Sequence, residues 1–451
     1  MIAHDLIDLS HPRRLHLLGV GGSGMKPFAL LLQAEGHEVS GADRNRCDDL
    51  ETIGIPVLAA EAGHNLPWGV EGVVHSAAVA LDHPVLVDAR ARGIPVLKYA
   101  RAMGIYARTK RTLAVAGTHG KTTTTAMLAH VLRRAGLDPS YLIGGHVPQL
   151  PVPGRGRSDL FAVEACEFDR SFLHLAPSAA IVTNLEADHL DYYRDLVEIT
   201  AAFRAFATQV GELLVVHEGL RETIGRAGGV RARVKTFGPS PDADLRVLPA
   251  EGTRRGFFLD DRFVSMRMPG YHNALNAVAV IALAEAYGVD RDVAARALAD
   301  FEGVGRRLLV VGRPRGIAVV DDYAHHPTEV AAGLRALRHA YAPRRLWVVF
   351  QPHQYSRLRR FLPEFAEALS AADRVVVPEV FAARDGQEDR ESVCSDDLVS
   401  SVRRLGGDAV HIPDFPAVVD FVRTQARTGD VVVTMGAGDI GHVAGRLAQA
   451  L

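Results

Sequence analysis

The sequence predicts an α/β protein made of three consecutive domains, in which parallel strands are joined by crossover helices. Short apolar runs that end at glycine or aspartate recur along the chain, and helical stretches separate them. A length of 451 residues also exceeds what one hydrophobic core usually serves. We place the domains at residues 1–110, 111–308 and 309–451, and we expect a parallel or mixed sheet in the central one.

The first domain opens on the strand LHLLGV, which breaks into glycine and precedes the helical stretch MKPFALLLQAEG, ended by Gly36. Gly19, Gly21 and Gly24 fit the pattern G-x-G-x-x-G. Asp43 follows about 20 residues on, where dinucleotide-binding turns carry a ribose-binding acid. The backbone amides of such a turn approach a pyrophosphate at a helix N-terminus. The pattern predicts a Rossmann-like domain that binds a ligand with a diphosphate.

The second domain opens on the most informative stretch, GTHGKT, between the strand LAVA and the helical stretch TTTAMLAHVLRRA. Gly117 and Gly120 let the backbone curl around an anion. Lys121 supplies a charge for the β- and γ-phosphates, and the Thr122 hydroxyl can reach magnesium. Val115 stands where the full phosphate-loop pattern has glycine, so the loop is a shortened variant. It predicts a P-loop ATPase-like domain.

Other residues of the central domain could complete an ATP site. Glu164 follows an apolar run, as a metal-binding carboxylate at a strand end does, although a surface acid fits equally well. The segment IVTNLEADHLDYY offers oxygen ligands for magnesium, and its alternative is a loop that caps a helix. Its polar residues are Asn184, Glu186, Asp188, His189 and Asp191.

Two residue pairs follow farther along the chain. Asn273 and Asn276 share a helix face, where their amides could read an adenine edge. Arg306 and Arg307 could neutralise a phosphate, although an arginine pair is more often a solvated surface.

The third domain begins at GIAVVDDYAHHPTEV and adds LWVVFQPHQYS, DRVVVPEVF and VVVTMGAGDI, each an apolar strand followed by a loop with polar groups. A second G-x-G-x-x-G stands at Gly436, Gly438 and Gly441. Two such turns would suit a nicotinamide-dependent dehydrogenase, but the phosphate loop between them favours an enzyme that uses ATP.

Composition narrows the partners to small molecules. A formal net charge of −2 gives no general attraction to nucleic acid or to an anionic membrane. No run approaches the ~18 apolar residues of a membrane span, and the N-terminus has no apolar signal core. Cys47, Cys166 and Cys394 lie far apart and are expected to be free thiols. We therefore expect a cytoplasmic protein, as a monomer or homodimer.

Eight motifs in this order resemble the Mur ligases, from about residue 15 to 441. They are GVGGSGM, GTHGKTTT, VEACEFD, TNLEADHLDYY, HNALNA, GVGRR, DDYAHHPTE and FQPHQYSR. The resemblance is strongest to the members that join L-alanine to UDP-N-acetylmuramate. It implies an N-terminal Rossmann-like domain for the UDP-sugar, a central ATP domain and a C-terminal Rossmann-like domain for the amino acid, with ATP and magnesium as cofactors.

The resemblance also implies the site residues. The UDP-sugar would contact Gly19, Gly21, Gly22, Ser23, Gly24, Met25, Asp43 and Ser76. ATP would contact Gly117, Thr118, His119, Gly120, Lys121, Thr122, Thr123, Asn276, Arg307 and Asp321. Magnesium would be held by Thr122, Glu164 and His189. The incoming amino acid would lie near Tyr323, His325, His353 and Arg357. The catalytic set would be Lys121, His189, His325, His353 and Arg357.

Two departures from the family pattern concern these sites. Cys166 replaces an aspartate in the expected EADESD, and Gln354 replaces the arginine of FQPHRY. The chain also has no lysine between Lys121 and Lys235, whereas the ligases that add later peptide residues use a carbamylated lysine there. This absence favours the alanine-adding branch.

The implied chemistry is ATP-driven amide formation through an acyl phosphate, after closure about hinges near residues 110 and 308. A histidine such as His325 or His353 could take the proton from the ammonium of alanine. Three alternatives stay open at this point: a recycling ligase that adds a murein peptide to the same UDP-sugar, the dehydrogenase, and a P-loop binding or switch module.

Overall fold

The computed structural model describes residues 7–45, 47–59, 66–190, 192–250, 255–383 and 385–451. The chain forms two compact units, Met1–Val247 with Leu275–Leu298, and Leu248–Ala274 with Ala299–Leu451. Parallel strands joined by helices dominate both units, as the apolar runs predict. The exact domain boundaries at 110 and 308 stay predictions.

The first sheet of unit one has five parallel strands in the order β3-β2-β1-β4-β5. The strands are β1 (Arg14–Leu18), β2 (Glu38–Asp43), β3 (Val57–Ala59), β4 (Gly72–His75) and β5 (Val96–Lys98). The helices are α1 (Met25–Ala34), α2 (Asp48–Thr52), α3 (Pro84–Ala91) and α4 (Tyr99–Ala107). Gly36 has φ +99° just after α1, so glycine ends this helix as predicted.

The second sheet of unit one carries the phosphate loop, and its strands run β12-β11-β10-β9-β6-β8-β7. The strands are β6 (Arg111–Ala116), β7 (Ser140–Leu142), β8 (Leu160–Glu164), β9 (Ala179–Val182), β10 (Leu213–His217), β11 (Arg233–Gly238) and β12 (Leu245–Pro249). The helices are α5 (Lys121–Arg134), α6 (Leu196–Ala207), α7 (Tyr271–Ala286) and α8 (Arg291–Asp300). Short 3₁₀ or π segments lie at Phe168–His174, Glu218–Leu220 and Arg221–Gly225.

Unit two begins with an antiparallel hairpin and continues into a six-stranded sheet. The hairpin strands are β13 (Gly256–Leu259) and β14 (Arg262–Ser265). The sheet strands are β15 (Leu309–Gly312), β16 (Ala318–Asp322), β17 (Leu346–Phe350), β18 (Arg374–Val377), β19 (Ala409–His411) and β20 (Val431–Met435). Their order is β15-β16-β20-β17-β18-β19, and only the edge pair β15–β16 of this sheet is antiparallel.

Helices cover the sheet of unit two. They are α9 (Pro327–Tyr341), α10 (Tyr355–Arg360), α11 (Leu362–Leu369), α12 (Gln387–Ser392), α13 (Ser395–Arg404), α14 (Phe415–Gln425) and α15 (Gly441–Ala450), with a 3₁₀ turn at Pro314–Gly316. Every residue of the central strands β16, β17 and β20 is buried. Helices on both faces of a parallel sheet explain why these strands read as continuous apolar runs.

The parallel sheets place polar residues at their carboxyl edges, where open α/β sheets bind ligands. In the second sheet the edge carries Gly117 after β6, Glu164 at the end of β8 and Thr183 after β9. In unit two it carries Asp322 at the end of β16 and Gly436 after β20. Within the described part of the chain, every helix is too short or too polar to cross a lipid bilayer.

Candidate active site

The phosphate loop, residues 117–122, joins β6 to α5 and needs glycine at two positions. Gly117 has φ +138°, and a Cβ there would collide with the Thr183 hydroxyl. Gly120 has φ +82° and is the N-cap of α5, with a Cβ position only 3.1 Å from the Asn276 amide. Because these glycines allow the tight curl, the first-turn amides of α5 open toward the loop, as an anion site requires.

The Lys121 ammonium lies inside this loop. Its Nζ is 2.8 and 3.0 Å from the two carboxylate oxygens of Glu167, and it donates to the carbonyl oxygens of Gly117 (2.6 Å) and Thr118 (3.0 Å). The Lys121 side chain is 14% exposed and that of Glu167 is 3% exposed. Burial works to lower the pKa of Lys121, but the Glu167 carboxylate and its neighbours outweigh it and raise that pKa. Lys121 is therefore a fixed positive charge at the phosphate loop.

Two of the predicted magnesium ligands, Thr122 and Glu164, are in contact, and the third, His189, lies beside Glu167. The Thr122 hydroxyl donates to Glu164 Oε2 (3.0 Å), and the other oxygen of Glu164 accepts from the backbone amide of Gly144 (2.5 Å). His189, with φ +51°, places Nε2 at 3.6 Å from Glu167 Oε1. The buried Nδ1 of His189 has no hydrogen-bond partner among the described residues. The hydroxyl and carboxylate of the Thr122–Glu164 pair are oxygen ligands of the type that a divalent cation takes, and this Nδ1 of His189 is a nitrogen donor of the type that a metal can use.

The loop that follows β9 braces the phosphate loop. The Asn184 amide accepts from the backbone N–H of His119 (2.8 Å) and donates to the carbonyl oxygen of the same residue (3.1 Å). The Thr118 hydroxyl accepts from the backbone N–H of Glu186 (2.9 Å). Asp188 accepts from the N–H of His189 (2.7 Å), while Asp191 lies outside the described residues. Asn184 and Glu186 thus shape the loop, in addition to any ligand role.

The asparagines of α7 have different surroundings. Asn276 is buried and borders Gly120 of the phosphate loop, where an adenine-reading residue is predicted. The Asn273 amide instead donates to the carbonyl oxygen of Pro269 (2.8 Å). That bond holds the Asn273 side chain against the backbone four residues earlier, just before α7.

The first glycine turn is held from within by Asp43. Asp43 Oδ2 accepts from the backbone N–H of Gly21 (2.9 Å), and Oδ1 accepts from that of Asn45 (2.9 Å). Gly19 has φ +77°, and a Cβ there would lie 3.0 Å from the Cβ of Ser76. The other predicted residues, Gly22, Ser23, Gly24 and Met25, form the entry into α1, whose N-terminus has no side-chain cap in the described structure. The amides of Gly19, Gly21 and Gly22 are thus engaged within the protein, so an anion would be bound by the amides that follow them at the start of α1.

Two adjacent aspartates end β16 in unit two. Asp321 accepts from the Thr434 hydroxyl (2.9 Å) and lies 3.4 Å from Arg306 Nε. Asp322 was not among the predicted site residues, yet burial raises its pKa to about 7, against the opposing charge of Arg307. A buried carboxyl with so high a pKa at a strand end is typical of a functional site. The sequence signal that could have found it is the doubled aspartate itself.

The two histidines predicted near the amino acid differ in which ring nitrogen carries the proton. His325 Nδ1 faces two acceptors, the carbonyl oxygen of Tyr323 (3.0 Å) and Glu329 Oε2 (3.3 Å), so this nitrogen carries a proton. His353 Nδ1 faces Nη1 of the buried Arg357 at 3.3 Å, and because arginine can only donate, this nitrogen is an acceptor. The two rings are 6.0 Å apart between centroids. In the neutral rings, Nε2 is the basic nitrogen of His325 only.

Cys166 and Gln354, which depart from the family pattern, each lie beside a residue of the candidate site. Cys166 follows β8, and burial raises the pKa of its thiol to about 12, so it is a neutral thiol beside Glu167. Gln354 has φ +73° and its backbone N–H donates to the carbonyl oxygen of Phe381 (2.8 Å), next to His353, whose ring stacks on Phe381 at 5.4 Å.

Family models match three consecutive parts of the chain. The Mur ligase family catalytic domain matches residues 14–111, the Mur ligase middle domain residues 115–284, and the Mur ligase glutamate ligase domain residues 306–438. The UDP-N-acetylmuramate--L-alanine ligase of Thermobifida fusca is 41% identical and that of Streptomyces coelicolor 40% identical. The first alignment covers 97% of this chain and 96% of the relative, and the second covers 97% of each.

Two solved structures of such ligases superpose on nearly the whole chain. The UDP-N-acetylmuramate-alanine ligase of Thermotoga maritima superposes with a TM-score of 0.80 and 28% identity, over 97% of this chain and 98% of its own. The murein peptide ligase of Psychrobacter arcticus superposes with a TM-score of 0.69 and 26% identity, over 97% and 98%.

Proposed function

The chain belongs to the Mur ligase family, and we propose that it joins L-alanine to the lactyl carboxylate of UDP-N-acetylmuramate, with hydrolysis of ATP to ADP and phosphate, in peptidoglycan precursor synthesis. The observation that carries this proposal is the phosphate loop with its buried, charged Lys121 beside the Thr122–Glu164 pair. Relatives of this activity that match nearly the whole chain support the choice of substrates.

The proposed reaction has two steps. The lactyl carboxylate attacks the γ-phosphorus of ATP and yields an acyl phosphate and ADP. The amine of alanine then attacks the acyl carbon, and phosphate leaves from the tetrahedral intermediate. The first step brings together two anions, so it needs positive charge that does not have to reorganise. Lys121 supplies such a charge, because its contacts already hold it in place.

Magnesium is the proposed companion of ATP. Thr122, Glu164 and His189 would hold it, and it would neutralise phosphate charge during transfer. Glu164 is prepared for this task, since the amide of Gly144 and the hydroxyl of Thr122 fix both of its oxygens. We assign the diphosphate of the UDP-sugar to the backbone amides at the start of α1, where the first glycine turn ends.

We assign the general base for alanine to His325. Glu329 and the Tyr323 carbonyl hold the proton on Nδ1, which leaves Nε2 as the basic nitrogen. Arg357 occupies Nδ1 of His353, so in the neutral ring Nε2 carries the proton and cannot accept another. On this assignment His353 and Arg357 orient the amino acid.

The base assignment is tested by the pH dependence of turnover. His325→Ala should lower kcat by about 100-fold and remove the acidic limb of the profile, since general-base catalysis contributes on that order. His353→Ala should leave the position of that limb unchanged. Full activity of His325→Ala with an unchanged profile would exclude His325 as the base.

The substrate assignment is tested by comparing amino-acid donors. We expect turnover with L-alanine and UDP-N-acetylmuramate, and turnover lower by at least about tenfold with a murein tripeptide in place of L-alanine. Preference for the tripeptide would identify the recycling activity instead. Incubation with NAD and the same substrates should give no change in nicotinamide absorbance. We place the protein in the cytoplasm, as a monomer or homodimer.

A further inference from the structure

The glycine turn of unit two, residues 436–441 and called here the C-terminal glycine turn, receives a cation that belongs to the protein. The Arg306 guanidinium donates through Nη2 to the carbonyl oxygen of Gly436 (2.7 Å) and through Nη1 to that of Gly438 (3.3 Å). Arg306 Nε also lies 3.4 Å from Asp321 Oδ2. The turn therefore presents carbonyl oxygens to a positive charge that comes from elsewhere in the chain.

The amides at the start of α15 are engaged inside the protein. The N–H of Ile440 donates to Gln351 Oε1 (3.1 Å), that of His442 to the carbonyl oxygen of Asp439 (3.1 Å) and that of Val443 to the carbonyl oxygen of Ile440 (2.9 Å). Three of the first four amide donors at this helix start are therefore engaged within the protein.

The third glycine of the motif makes room for the arginine. A Cβ at Gly441 would lie 2.8 Å from Arg306 Nε, 2.9 Å from Cζ and 3.2 Å from Nη2. Real Cβ atoms essentially never approach other heavy atoms below 3.0 Å, so an alanine at position 441 would displace the guanidinium. Glycine is otherwise a poor residue within a helix. Its presence here is explained by close approach of Arg306.

Arg306 is also coupled to its neighbour. Its carbonyl oxygen accepts from the backbone N–H of Tyr323 (2.7 Å). The guanidinium carbons of Arg306 and Arg307 lie 4.9 and 5.0 Å from the centroid of the Tyr323 ring. Arg306 has φ +58° and Leu308 has φ +50°, a strained backbone that persists only when side-chain contacts hold it.

We propose that Arg306 is a positioning residue for the ligase reaction: anchored in the C-terminal glycine turn, it sets the place of Arg307, the arginine assigned to ATP. Arg306 itself does not touch substrate. The G-x-G-x-x-G motif of this unit binds the side chain of an arginine from the same chain. The proposal rests on the proposed function for what Arg307 contacts, whereas the anchoring of Arg306 by the turn is independent of it.

The experiment is a double-mutant cycle between Arg306 and Gly441. Gly441→Ala keeps every functional group, and we expect it to lower kcat/KM for ATP about tenfold, by displacing Arg306. Arg306→Ala should give a similar loss, and the double variant should be no worse than Arg306→Ala alone. Gly445→Ala, in the same helix with nothing within 4 Å of its Cβ position, is the matched control and should retain wild-type kinetics.

A second cycle separates positioning from direct contact with ATP. If Arg306 acts through Arg307, the variant that lacks both arginines will have the kcat/KM for ATP of Arg307→Ala alone. If the losses multiply, Arg306 acts on substrate by itself and the proposal is wrong. Arg306→Lys keeps the charge but not the two-pronged contact, and we expect it to remain impaired. Full rescue by lysine would contradict the anchoring by two carbonyl oxygens.

Thermal unfolding tests the contact between Arg306 and the C-terminal glycine turn without any substrate. In the wild-type background Gly441→Ala should lower the Tm, and in the Arg306→Ala background it should raise it, since alanine favours a helix once the arginine is gone. A change in Tm of the same sign in both backgrounds would contradict the anchoring of Arg306 by the turn. An intact thermal cycle in a protein that does not use UDP-N-acetylmuramate would instead reject only the proposed function.

Discussion

The phosphate loop and the C-terminal glycine turn share a glycine-rich pattern at the carboxyl edge of a parallel sheet, and each holds a cation on backbone carbonyl oxygens, yet the cation has a different source in each. In the phosphate loop the positive charge comes from Lys121 within the loop, and a carboxylate, Glu167, neutralises it. In the C-terminal glycine turn the positive charge comes from Arg306, outside the turn, and backbone carbonyl oxygens receive it. Glycine spacing therefore indicates that another group comes close to the backbone, and the charges of the neighbouring residues determine which group that is.

The largest expected effect concerns the phosphate-loop cation. Lys121→Ala should lower kcat about 10³-fold or more, because a fixed charge on the transferring phosphoryl group is lost. Steady-state phosphate release measures it. Lys235→Ala removes a lysine that pairs with Glu285 at 3.7 Å, outside the phosphate loop; it is the control and should remain active. Activity of Lys121→Ala near that of the control would show that the loop does not hold the reacting phosphate.

A second expected effect concerns the glycine that shapes the phosphate loop. Gly117→Ala should weaken ATP binding by about tenfold or more, since its Cβ collides with Thr183 at a backbone of φ +138° and the amides must shift. Calorimetric titration with a non-hydrolysable ATP analogue measures it. Gly136→Ala carries backbone strain at φ +82° with nothing within 4 Å of its Cβ position. It should lose stability but keep its ATP affinity, and equal losses of affinity would contradict the assignment.

A third expected effect separates the neutralising carboxylate from the cation it holds. Glu167→Gln leaves a buried ammonium without its charged partner, so the free energy of unfolding should fall by roughly 3 kcal/mol. Added ATP should then raise the Tm more in the variant than in the wild type, because phosphates can replace the lost carboxylate. Glu198→Gln, at an exposed pair with Arg170, is the control. If ATP stabilises Glu167→Gln no more than the wild type, Glu167 is not the carboxylate that phosphates replace at Lys121.

The smallest expected effect is a pH dependence that arises in unit two. Burial raises the pKa of Asp322 to about 7, whereas the unfolded chain has the ordinary value of 3.8. The folded state therefore holds this proton more tightly, and its contribution to stability is lost as the pH rises from about 4 through about 7.

Replacement of that carboxyl group removes its pH dependence. Between pH 5 and pH 8 the free energy of unfolding of Asp322→Asn should rise relative to that of the wild type by roughly 2–3 kcal/mol. Asp420→Asn, at an exposed pair with Arg423, should show no such change. A difference between Asp322→Asn and the wild type that does not depend on pH would contradict the raised pKa.

Much of the fold was predictable because its signals are local. Apolar runs, glycine stops and the GTHGKT loop predicted the alternation of strands and helices, and the structure confirms the α/β class. The hairpin of β13 and β14 was not predicted, since two four-residue runs around Asp260 and Asp261 carry little periodicity.

The site was only partly predictable, because its remaining features depend on tertiary structure. Burial raises the pKa of both Asp321 and Asp322, but the sequence does not show how deeply a strand end is buried, so neither shift was predicted. Likewise, the spacing of Asp43 suggests a ribose contact, but only the fold shows that its oxygens accept from Gly21 and Asn45. The same holds for Arg306, whose acceptors are 130 and 132 residues away in the chain.

The most direct test of the account is phosphate release from ATP in the presence of magnesium, with UDP-N-acetylmuramate and L-alanine omitted in turn. We expect sustained release only when both are present, in step with formation of one amide-linked product per phosphate. Sustained release that does not require the UDP-sugar would contradict it.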